Sequence, residues 1–154
     1  MTQTTQSIED MILDVTQEIL VHASPEATFA ALLEEMGPQN QGANGAVMPM
    51  TLEARPGGRW YRDLGGDDGH FWGTVQAIKR PSLLEITGPL FMSYPVATNI
   101  QYRLSEVPGG TLIKFHHSSF GLIQDEHRKN VHKGWGSLHD RIKLRAEATA
   151  SRPS

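Results

Sequence analysis

From Leu13 to Ala23 the chain alternates between apolar and polar positions, with Leu13, Val15, Ile19 and Val21 on one face and Asp14, Thr16, Glu18 and His22 on the other. A period of two over this span predicts a half-buried strand. Gln17 interrupts the apolar row, which marks the strand as an edge or bulged one. Ser24-Pro25-Glu26 then reads as a helix start: a capping hydroxyl, a proline preset for the first turn and a carboxylate at the positive end. Phe29, Leu32, Leu33 and Met36 follow at the spacing of one buried helical face, and Gly37-Pro38 ends the helix. The stretch from Gln39 to Ala46, rich in Gly, Asn and Gln, is a loop.

Beyond it the period returns to two. Strands are predicted at 50–55, 59–64, 70–79, 83–87, 96–106 and 111–119, separated by turn signals such as Pro56-Gly57-Gly58 and Pro108-Gly109-Gly110. Val96, Thr98, Ile100, Tyr102 and Leu104 share one face of the fifth of these, and Ile113, Phe115 and His117 one face of the sixth. Short turns and the lack of strand–helix alternation predict an antiparallel meander. After Gly121 the pattern becomes helical: Val131, Trp135, Leu138 and Ile142 hold a stripe over three turns of a helix at about 125–148, roughly 36 Å long. One sheet with one apolar face and one helix with one apolar stripe cover each other most economically if the sheet curls around the helix. The expectation is an α+β fold: a curved antiparallel sheet of about seven strands around a long C-terminal helix. It forms one domain over 1–154, ordered from about 10 to 148, between a polar lead and a fraying tail.

Composition narrows the function classes. A length of 154 residues suffices for a core without staples, and the lack of cysteine excludes disulfides, thiolate nucleophiles and Cys-based metal sites. No segment approaches the ~20 apolar residues of a membrane span, and the first ten residues lack the features of a secretory signal. The net charge of -3 is spread with both signs interspersed, so neither nucleic acid nor a membrane surface is an expected partner. The expected location is the cytoplasm, and the expected state a monomer or homodimer.

Five stretches, in order, carry a resemblance: SPEATFAAL after the first strand, PGGRWYR at 56–62, GTVQAIKRP at 73–81, GGTLIKFHHSSF at 109–120 and GWGSLHDRI at 134–142. Together they resemble the START-like, or SRPBCC, superfamily, most of all the branch named for the activator of the 90-kDa heat-shock-protein ATPase. The resemblance spans roughly 12–147. It implies the helix-grip fold, in which the space between sheet and long helix is often a ligand cavity. The superfamily includes lipid carriers, hormone receptors, polyketide aromatases and cyclases, and co-chaperones, so the fold alone does not assign the function. Between the first helix and the second strand this chain is short and Gly-rich where relatives commonly carry a second helix, a difference that could leave one mouth open.

Candidate site residues follow from these faces. His117 stands where the family pattern often has a histidine and shares the inward face with Ile113 and Phe115; it is either a ligand or acid–base group or a core histidine bonded to a carbonyl. Trp135, between Gly134 and Gly136, is either cavity floor or plain core, and the two glycines suggest a kink or a close approach to a strand. Trp60 and Arg62 share a face; turned inward, Arg62 is a carboxylate clamp, and turned outward it is a surface charge. Trp72, Tyr102, Phe115 and Leu138 complete the expected wall. His70 reads as a solvated turn residue, and the apolar loop Gly88–Pro95 as either a lid or a dimer contact.

No metal site is expected. His116 and His117 point to opposite faces, and His132 and His139, seven apart on a helix, are separated by roughly 10.5 Å. No G-x-S-x-G elbow, Walker loop or dinucleotide fingerprint occurs, so no cofactor is expected. The leading expectation is a binding protein for a small apolar, aromatic or acyl molecule held in an internal cavity. The alternatives are a cyclase- or aromatase-like enzyme working through His117, and a co-chaperone-like interaction protein.

Overall fold

The computed structural model describes residues 7–42 and 44–150, with the side chain of Ala150 excepted. The polar lead at 1–6 and the tail at 151–154 lie outside the described residues. A turn of 3-10 helix at Glu9–Met11 precedes β1 (Ile12–Val21) and α1 (Pro25–Met36). Then come β2 (Thr51–Leu52), β3 (Arg59–Gly65), β4 (Asp68–Lys79), β5 (Leu83–Thr87), β6 (Val96–Val107), β7 (Gly110–Gly121) and α2 (Asp125–Ala150). The seven strands form one antiparallel sheet in the order β1-β7-β6-β5-β4-β3-β2.

The local signals act as their chemistry requires. Ser24 caps α1 by accepting the Ala27 N–H at 3.1 Å, and Pro25 opens the helix. On β6 and β7, Thr98, Ile100, Tyr102, Leu104, Ile113, Phe115 and His117 are all buried, as the alternation predicts. Val131, Trp135, Leu138 and Ile142 bury the α2 stripe and pack with them into one hydrophobic core.

β1 is an edge strand, paired with β7 from Ile12↔Phe120 to Val21↔Thr111 without a bulge. Gln17 therefore stays on the inward face, half-buried, where it serves a polar purpose described below. The strand expected at 50–55 shrinks to Thr51–Leu52. Beyond Leu52 the chain turns back on itself: Arg55 N–H bonds to Glu53 O at 2.9 Å, and Gly57 N–H is drawn to Val75 O at 2.9 Å. That pairing is long-range and leaves no periodic trace in the sequence. No helix among the described residues is long and apolar enough to cross a membrane.

Candidate functional site

The inner face of β6–β7 meets α2 through two polar chains embedded in aromatic packing. In the first, Trp135 Nε1–H donates to His117 Nδ1 at 2.8 Å. An indole only donates, so His117 accepts at Nδ1 and carries its proton on Nε2. That proton is donated to Ser119 Oγ at 2.5 Å, and Ser119 is bonded to Thr98 Oγ1 at 2.8 Å. Desolvation lowers the His117 pKa to about 4, against a small opposing pull from Asp14. The ring is thus neutral near pH 7, with both nitrogens engaged.

The second chain begins at Tyr102, whose hydroxyl lies 2.9 Å from His139 Nε2. His139 Nδ1 lies 2.6 Å from Gln17 Oε1, and Gln17 Nε2 donates to His132 O at 2.8 Å. The backbone carbonyl orients the Gln17 amide, so Oε1 must accept, His139 must donate from Nδ1, and Nε2 is left to accept from Tyr102. Desolvation lowers His139 to about 3, and burial pushes the Tyr102 phenol well up. His139 and Gln17 were both missed as site residues. His139 lies four residues after Trp135, on the same helical face, a spacing that could have signalled it.

Tyr102, Phe115, His117, Trp135 and Leu138, five of the eight expected wall residues, come together here. Ring centroids of Phe115 lie 4.8 Å from both Tyr102 and Trp135, and 4.6 Å from His139. All are buried. The rings of Tyr102, Phe115 and Trp135 touch one another, and no buried side-chain nitrogen or oxygen lacks a partner among the described residues.

Trp60, Arg62 and Trp72, the other three, form a second group at the β3–β4 end. Trp60 is buried and donates Nε1–H to Met36 O at 2.8 Å, so its face of β3 is the inward one. Arg62, two residues on, shares that face, is half-buried, and has no hydrogen-bond or ion-pair partner among the described residues. Trp72 reaches the same side because of a bulge: Trp60 pairs with Gly73 and Tyr61 with Phe71, leaving Trp72 between them. Gly73 tolerates this only without a side chain, since a Cβ would meet Ile86 Cγ2 and Thr87 O at 2.8 Å.

Trp72 stands edge-on to Trp60 at 5.0 Å and to Phe91 at 5.9 Å, and Phe91 to His127 of α2 at 5.1 Å. His70 is not a solvated turn residue. It accepts Trp72 Nε1–H at Nδ1 (2.9 Å), lies 2.8 Å from Ser93 Oγ through Nε2, and sits opposite Arg62 in the ladder. The apolar loop that carries Ser93 turns inward: Leu90 and Met92 are fully buried, and Leu90 adopts φ 58°. Leu90 and Met92 thus pack within this chain, and Phe91 and Tyr94 stay partly exposed.

Open grooves mark the surface of the described residues. One of about 650 Å³ lies between β1 and α2, beside Gln17, His132 and Gly136. Another, about 420 Å³, is lined by Glu35, Gln41, Arg141, Leu144 and Arg145.

A seven-stranded antiparallel sheet folded about one long C-terminal helix, with polar groups on its inner face, defines a helix-grip protein. The chain belongs to the family of activator of Hsp90 ATPase homolog 1-like proteins, which matches residues 22–147, and so to the SRPBCC superfamily. Among solved structures it is similar to a Mesorhizobium loti protein at 19% identity and TM-score 0.68, covering 88% of this chain and 98% of that one. A Chromobacterium violaceum protein shows 15% identity and TM-score 0.69, covering 87% and 96%. The di-domain ARO/CYC StfQ from the steffimycin biosynthetic pathway shows 12% identity and TM-score 0.63, covering 94% of this chain and 54% of that one. At these identities the likeness is one of fold. No curated protein matches the sequence.

Proposed function

We propose that this protein binds a small apolar molecule, aromatic or acyl, between the sheet and α2. The ligand body lies against Trp60, Trp72 and Phe91, and its polar group reaches Arg62. The observation that carries this reading is Arg62 itself: a half-buried residue opposite His70, whose ring stands edge-on to Trp72, with no side-chain partner among the described residues. A charge held out of water without a counter-group is costly, and a ligand oxyanion offsets that cost. The strained φ of buried Leu90 supports it, because strain of this kind collects in segments that close over ligands. Catalysis by His117 would require Trp135 or Ser119 to withdraw first, since both imidazole nitrogens are occupied.

The test uses 1-naphthoate and its uncharged analogue 1-naphthalenemethanol. Both are expected to quench tryptophan fluorescence and raise the melting temperature. Arg62→Gln should weaken naphthoate about tenfold and leave the alcohol unchanged, whereas Trp72→Ala should weaken both. Native mass spectrometry of freshly purified protein would report a retained ligand directly. If neither probe alters fluorescence or melting, the reading fails.

A further inference from the structure

Away from the aromatic row, α1 and α2 meet around a carboxylate. Glu35 is 3% exposed and receives Arg141 Nε at 3.2 Å and Arg145 Nε at 2.6 Å. Each guanidinium is held through Nε alone, and the Nη groups have no partner among the described residues. The two arginines are four residues apart on one helical face, and both line the groove of about 420 Å³. Gln41 joins them there, its side-chain amide without a partner among the described residues, and Leu144 and Ala148 line the groove as an apolar rim. Lys143 and Glu147 pair with each other, and Glu147 accepts the His22 N–H, so neither belongs to the groove.

We propose that this groove binds the carboxylate of a small organic acid. Two guanidinium groups against one carboxylate leave a single unbalanced positive charge, which a singly charged oxyanion neutralises. Glu35 fixes both guanidinium groups before a ligand arrives, so little side-chain entropy remains to be lost on binding. The outward Nη pair of a guanidinium is planar and matches a carboxylate in a two-bond fork. Leu144 and Ala148 then accept an apolar ring or short chain, and the volume is in the range of small-molecule sites.

The experiment follows arginine Nε–H resonances by 15N NMR in the full chain at constant ionic strength, with benzoate as the probe. Benzoate should shift Arg141 and Arg145 saturably, and benzyl alcohol or chloride should not. Arg141→Lys and Arg145→Lys keep a cation beside Glu35, so the fold is retained and checked by melting; each should weaken benzoate at least tenfold. Arg62→Gln should leave these shifts unchanged, which separates this site from the aromatic row and allows either to fail alone. Equal shifts with benzoate and chloride would overturn the proposal. So would inorganic phosphate binding more tightly than benzoate, or full affinity in both lysine variants.

Discussion

His117 and His139 are each held neutral by burial and by two hydrogen bonds that fix opposite tautomers, protonated at Nε2 in the first and at Nδ1 in the second. Their folded pKa values, about 4 and about 3, lie below the ordinary value of 6.5. Between pH 6.5 and those values the unfolded chain binds protons that the folded chain refuses, so stability falls as pH falls through that window and is level above it. Urea unfolding should therefore show a loss between pH 7 and pH 5. His139→Gln, which cannot ionise, should be less stable at pH 7 by about 1–3 kcal/mol through its broken bonds. It should nevertheless lose less on acidification than the parent. Identical pH slopes for the two proteins would show that the neutral ring is not the source.

At the scale of elements, α2 carries an apparent defect. Gly134 and Gly136 flank Trp135, yet a Cβ at 134 would meet nothing within 4 Å, and at 136 only Gln17 Nε2 at 4.0 Å. The close approach to a strand suggested by the sequence does not account for them, because no strand backbone comes near. Gly134→Ala should then stabilise the protein by about 1 kcal/mol through helix propensity alone. A rise in the thermal midpoint checks this, and a fall would mean that the segment is not regular helix.

The elements that were legible from sequence share a property. α1, β6, β7 and α2 each bury one face at an unbroken period and are bounded by local signals such as Ser24 and Pro108-Gly109-Gly110. What escaped depends on partners distant in the chain. The short β2 follows from the Gly57–Val75 bond, the inward turn of Trp72 from a bulge against β3, and the role of Gln17 from a histidine 122 residues away. His117 and Trp135 could be placed on facing surfaces, but a period cannot say whether such a pair encloses a space or closes it.

For the whole molecule, the two halves of α2 are held differently. Its C-terminal half is bound to the body by Arg141 and Arg145 on Glu35 and by Lys143 Nζ on Leu20 O at 2.9 Å. Its N-terminal half is held by Arg128 on Asp10 O of the 3-10 turn and Ile12 O at the start of β1, and by His127 against Tyr94 and Phe91 of the loop. The two glycines separate the halves. A ligand entering between the sheet and α2 beside the loop would move the loop and the first half of α2 together, because His127 joins them, while the second half stays fixed. Local opening of this kind is read by amide exchange. Exchange should be faster at 126–136 and 89–94 than at 139–147, and a bound ligand such as naphthoate should slow the first two segments in concert. Uniform protection along α2, or a ligand that slows only the C-terminal half, would place the opening elsewhere and remove the loop from the route.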